Sequence, residues 1–144
     1  MPLDGSRMGE TAIPHAEELA KAFGAELVLF QAFLTSAFGA AYEYRSMSSP
    51  EFEEQKERIR ASAMTYLSRL ERAFQKKGLI ASSVVGEGHA ADQILQFAEG
   101  DRIDLIAMST HGRSDIGRWV FGSVTDKILH AGNTAVLTVR ATKV

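Results

Sequence analysis

Short, nearly continuous apolar runs alternate along the chain with longer segments whose apolar residues recur at helical spacing. The runs are Glu26 to Phe33 (Glu-Leu-Val-Leu-Phe-Gln-Ala-Phe), Leu79 to Val85, Asp104 to Ser109 and Ala135 to Val139. Strands this apolar suit a parallel sheet covered on both faces. A helix from about Thr11 accepts Pro14 in its first turn, turns Ile13, Ala16, Leu19, Ala20 and Phe23 inward, and ends at Gly24. Ser49 as cap and Pro50 at the first helical position open a long helix. Its stripe of Phe52, Ile59, Ala63, Tyr66, Leu67, Leu70 and Phe74 reaches Lys77, and Gly78 stops it. The opposite face is charged and solvated, with Glu54 four residues before Arg58. Gly86-Glu87-Gly88 leads into a helix bearing Ala91, Ile94, Leu95 and Ala98, closed by Gly100. A last helix spans Ser123 to Ala131 with Gly132 as its cap, and Leu34 to Ser48, which has no period, predicts a loop.

Met1-Pro2-Leu3 reads as the end of a further strand, and Asp4-Gly5-Ser6 as the turn after it. The alternation predicts a single α/β domain over residues 1–144: a doubly wound, parallel, five-stranded sheet with right-handed crossovers and helices on both faces. In the flavodoxin-like order, 3-2-1-4-5, the first and fourth strands are neighbours, and ligands bind where the order reverses, at carboxyl ends. That brings Asp4-Gly5-Ser6 to the stretch that follows Ser109.

Composition narrows the choices. A chain of 144 residues buries roughly 70% of its unfolded surface without a staple. It has no cysteine, and its four histidines lack ligand spacing, so a metal held by protein alone is not expected. A net charge of −2 and the lack of a Lys/Arg block argue against nucleic acid. The longest apolar region, Leu27 to Tyr42, is broken by Gln31, Thr35 and Ser36, too short for the roughly 20 residues of a membrane span. Asp4, Arg7 and Glu10 exclude a signal-peptide core at the start, and a cytoplasmic location is expected.

The stretch from Ser109 to Ser123 has the chemistry of a phosphate cradle. Gly112 permits backbone angles and close approaches that other residues do not, and Gly122-Ser123 opens a helix whose free N–H groups attract anions. Arg113 and Arg118 lie within the loop, either adding charge to the site or simply solvated, while Trp119, Val120 and Phe121 pin the loop onto the sheet. His111 has no readable nucleophile or orienting carboxylate, so a positioning role outweighs that of a general base. His130 stands in a last helical turn, where the dipole favours a cation. Gly86-Glu87-Gly88-His89-Ala90-Ala91 also fits a dinucleotide fingerprint, with Asp104 downstream. That fingerprint belongs to the first βα turn, so a tight helix entry is the better account.

Pro2-Leu3-Asp4-Gly5-Ser6, the strand ending Gln31-Ala32-Phe33, and Ser109-Thr-His-Gly112 followed by nine residues and Gly122-Ser123 together resemble the universal stress proteins, over essentially the whole chain. The family signature is a glycine, two residues, a glycine, nine residues, then Gly-Ser or Gly-Thr; Ser109 stands at the first glycine. The resemblance implies that Asp4 meets the adenine or ribose end, with Pro2 at the same strand tip and Ala32 lining the adenine pocket. It implies that Met108 and Ser109 hold the ribose side, with Gly112, Gly122, Ser123 and Val124 around the phosphates. It further implies ATP as ligand, with Mg2+ or Mn2+ bridging its phosphates.

The family's first strand is central, whereas this chain holds only Met1, Pro2 and Leu3 of it. The expectation is a natural start upstream of Met1; otherwise another segment or a partner fills the gap, or the sheet is shorter at its centre. The expected function is that of an ATP-binding regulatory protein whose occupancy sets its choice of an unidentified protein partner. A slow ATPase and a nucleotide-free interaction module are the alternatives. The first lacks a base or lysine, and the cradle's glycines argue against the second. The apolar last strand, Ala135 to Val139, would be an exposed edge, and the resemblance implies that a homodimer pairs it.

Overall fold

The computed structural model describes residues 1–34, 50–111 and 122–141. After a 3-10 turn at Gly9–Ala12, the elements are α1 (Ile13–Phe23), β1 (Leu27–Phe33), α2 (Pro50–Lys76), β2 (Ala81–Glu87), α3 (Ala90–Gly100), β3 (Leu105–Ser109), α4 (Ser123–Ala131) and β4 (Ala135–Val139). Ser49 and most of the Leu34 to Ser48 stretch lie outside the described residues.

Among the described residues four strands form two parallel pairs, β1 with β2 and β3 with β4, and not one sheet of five. Beside β1, Pro2 forms an isolated parallel bridge to Phe30. Leu3 N–H donates to Phe30 O at 2.8 Å and Phe30 N–H to Met1 O at 2.9 Å. The Met1 amine reaches Val28 O at 2.6 Å.

Alternation along β1 sorts the core onto two faces. Leu27 and Leu29 join Leu3, Ala16, Ala20, Leu67 and Phe74 beneath α1 and α2. Phe30 joins Ala91, Ile94, Ala98, Ile106, Met108 and Ile128 beneath α3 and α4. Leu67 has no exposed surface, and Leu67→Ala should cost about 3 kcal/mol of stability in urea titration.

Several boundaries differ from the sequence expectation. β2 starts at Ala81 and continues through Gly86 and Glu87, which pair with Ala32 and Phe33. Gly86 is therefore a strand residue; a Cβ there would come within 2.8 Å of the Phe30 ring, so its role is close packing and not a phosphate turn. α3 runs through Gly100, and Arg102, at φ 52°, takes the left-handed position. The Ile103 N–H to Ala98 O bond closes that end as Ala25 to Ala20 and Leu79 to Phe74 close the ends at Gly24 and Gly78. Gly132 does cap α4, but with extended backbone; a Cβ there would meet Leu95 and the Ile128 carbonyl.

Phe23 is 79% exposed rather than buried, because it occupies the last position of α1, one turn past buried Ala20. Glu17 goes inward instead, bonded to Lys21 at 2.8 Å and to Lys77 at 2.7 Å. Those two ammonium groups hold its carboxyl below the usual range despite burial, and Lys77 ties α1 to the end of α2. Among the described residues no helix is long and apolar enough to cross a membrane.

Candidate functional site

Two turns meet at one end of the molecule. In the first, Asp4 Oδ1 accepts from Ser6 N–H at 2.9 Å and from Ser6 Oγ at 2.7 Å, while Ser6 Oγ accepts from Gly9 N–H at 3.0 Å. Gly5, at φ 77°, supplies the left-handed residue this turn needs. A Cβ on Gly9 would collide with Asp4 Oδ1, so Gly9 allows the carboxylate to fold back on its own turn. The second turn leaves β3, where Thr125 Oγ, on α4, donates to the carbonyls of Ser109 at 3.2 Å and Thr110 at 3.5 Å. Gly122 N–H donates to the same Thr110 carbonyl at 2.9 Å.

Thr11 Oγ lies 3.2 Å from Ser109 Oγ, joining the two turns across 98 residues of sequence. Asp4-Gly5-Ser6 and the end of β3 are thus brought together, although no continuous ladder passes between them. Gly122 is the N-cap of α4, and Asp126 N–H to Gly122 O is the first bond of that helix. The amides of Ser123, Val124 and Thr125 precede that bond and have no acceptor within the helix. They provide the anion-attracting end, while the amide of Gly122 is already engaged by Thr110.

A cleft of about 720 Å³ opens beside the first turn, lined by Gly5, Gln31, Arg58, Ile59, Ser62 and Tyr66 among others. Its size falls within the range of small-molecule sites. Gln31, not Ala32, lines it; Ala32 packs against the Phe30 and Ile94 cluster on the opposite face, as do Met108 and Val124. Pro2 sits at the bridge to Phe30. Gly112 and the nine residues after it, with Arg113, Arg118, Trp119, Val120 and Phe121, lie outside the described residues.

Tyr66 was part of the apolar stripe in the sequence, yet its hydroxyl donates to Glu10 Oε1 at 2.8 Å at the cleft wall. Burial raises its pKa strongly, and the Glu10 carboxylate raises it further, so the phenol stays protonated and acts only as a donor. His111 Nδ1 is engaged with Thr110 Oγ at 2.9 Å, and Thr110 Oγ also accepts from Ala141 N–H at 3.3 Å, contacts that anchor the start of the loop. His130 Nδ1 lies 2.8 Å from the Asp126 carbonyl, a contact within α4. Sequence reasoning missed Thr11, Thr125 and Gln31. Only Gln31 carried a local signal, a polar residue interrupting an apolar run.

The universal stress protein family model matches residues 1–140, and the chain belongs to that family. It is 28% identical over 143 residues to universal stress protein MJ0531 of Methanocaldococcus jannaschii, covering 99% of this chain and 81% of that protein. The structure of MJ0577 from the same organism superposes with a TM-score of 0.84 at 21% identity, covering 99% of this chain and 94% of that one. A universal stress family protein of Arabidopsis thaliana, solved with AMP bound, superposes with a TM-score of 0.62 at 15% identity, covering 98% and 89%. The two structures establish a shared fold.

Proposed function

We propose that this chain is an adenine-nucleotide-binding regulatory protein, with ATP lying between the first turn and the start of α4 and its occupancy selecting a protein partner. The observation that carries this is the Thr11–Ser109 contact, which makes one site of two distant turns. AMP in the Arabidopsis thaliana relative supports the ligand class. Asp4 and Pro2 serve the base and ribose end beside Ala32, and Met108 and Ser109 flank the ribose. The phosphates meet the amides and hydroxyl at Ser123 and Val124, with Gly122 keeping the approach open and Gly112 completing the cradle. Backbone amides with a hydroxyl can hold an anion without lysine.

Mg2+ or Mn2+ would be carried on the nucleotide's phosphates and completed by water. β4 pairs with β3 along one edge, and its other edge suits a second copy of the chain, giving a homodimer. A cytoplasmic location accompanies this function.

Denaturing the purified protein and chromatographing the released small molecules tests the proposal. ATP in near-stoichiometric amount is expected. ADP alone would turn the account toward hydrolysis, and a protein that releases no nucleotide and takes up none on adding ATP would refute it.

A further inference from the structure

Ser109 ends β3 as a buried polar residue, and a buried hydroxyl is costly unless it is bonded. Counting hydrogens assigns its bonds. Thr11 has one hydroxyl hydrogen, and the shorter of its contacts, 2.7 Å to the Met8 carbonyl, takes it, because a carbonyl can only accept. In the 3.2 Å contact between Thr11 Oγ and Ser109 Oγ the donor is therefore Ser109. Ser109 Oγ accepts in turn from the His111 N–H at 3.4 Å. The side chain of Ser109 is thus engaged toward the 3-10 turn that follows Asp4-Gly5-Ser6. Its main chain is engaged toward the other half of the site, where the Ser109 carbonyl accepts from Thr125 Oγ, in the first turn of α4, at 3.2 Å.

No backbone ladder among the described residues runs between Met1–Leu3 and β3. The side-chain bond from Ser109 to Thr11 fixes there what a ladder would fix through the main chain. A ligand whose two ends are joined by covalent bonds needs two half sites at one separation, and binds more weakly when it must order them itself.

We infer that Ser109 is a positioning residue for the nucleotide: through Thr11 it holds the first turn, and through Thr125 the start of α4, at the separation that one ligand spans. The inference rests on the nucleotide site proposed above, and adds that affinity depends on a hydroxyl that donates to Thr11 and not to the ligand.

Calorimetric titration with ATP tests this on the purified chain, on Ser109→Ala, Thr11→Val and the double variant, and on Thr11→Ser, with circular dichroism reporting the fold. Ser109→Ala should bind ATP about fivefold more weakly than wild type, as expected for one hydrogen bond. Thr11→Val should lose at least as much, since its bond to Met8 goes too. The double variant should be no weaker than Thr11→Val alone, because both substitutions remove the same contact. Thr11→Ser, which keeps the hydroxyl, should stay within about twofold of wild type. A contact that served only the fold would lower urea midpoints and leave the affinities of folded variants unchanged; that result would overturn the inference, as would losses that multiply in the double variant. Should Thr11→Val or the double variant fail to fold, Ser109→Ala and Thr11→Ser still decide. Wild type that binds no ATP would overturn the inference and the proposed site together.

Discussion

Gly122→Val binds ATP about 100-fold more weakly than wild type, a loss equivalent to roughly two charge-assisted hydrogen bonds. Gly122 has φ −56° and ψ 151°, a conformation valine adopts readily, so the substitution introduces no backbone strain. Its N–H to Thr110 O and the Asp126 N–H to its own carbonyl both survive, each at 2.9 Å in the native chain. What changes is the space before the amides of Ser123 and Val124, where two methyl groups now stand. Crowding at a buried N-cap costs about 1 to 2 kcal/mol of stability, well within the margin of a domain this size. Calorimetry gives the affinity and circular dichroism the fold. Affinity within about twofold of wild type in a folded variant would show that phosphates do not approach α4.

For the chain with a free amine at Met1, stability falls by up to about 4 kcal/mol as the pH drops from 8 to 5. Burial depresses that amine from its ordinary 8.0 to about 5, because the charged form loses its water where the amine meets the Val28 carbonyl. Above pH 8 the amine is neutral in both folded and unfolded chains and costs nothing. Below it the unfolded chain takes up a proton first, favouring unfolding until the folded chain is protonated too, near pH 5. Stability is therefore present on the alkaline side and lost toward acid. Urea midpoints at pH 8.5, 7 and 5.5, compared with those of the Nα-acetylated chain, isolate this contribution from other titrating groups. The free-amine chain should lose stability relative to the acetylated one, and parallel profiles would contradict the account.

Much of the architecture was legible because strong local signals mark it. α4 and β4 lie where Gly122-Ser123, Gly132 and the apolar run at Ala135 place them, and the αL ends at Gly24 and Gly78 follow from glycine's tolerance of positive φ. Arg102 carries no such signal: an ordinary residue is held in the left-handed region by the Ile103 to Ala98 bond. Gly86 misled in the opposite way, since a glycine kept for packing against Phe30 looks in sequence like a turn residue. The amphipathic pattern put Phe23 inward, but a periodic pattern carries no information about where the opposing core stops. At the site, the spacing from Gly112 to Gly122-Ser123 pointed to the start of α4. The contact that assembles the site, Thr11 with Ser109, joins residues 98 apart and has no local mark. Gln31 was visible as a polar interruption, but its place on the cleft wall, beside Gly5 and Tyr66, depends on contacts distant in sequence.

The central claim is that one nucleotide bridges the first βα turn and the β3–α4 turn. Titrating isotope-labelled protein with ATP and following backbone amide resonances tests it most directly. The account predicts saturable shifts concentrated at Asp4, Gly5, Ser109, Ser123 and Val124, with the amides at the far ends of the strands, near Leu27 and Leu105, unmoved. No shifts at saturating ATP, or shifts centred away from both turns, would contradict it.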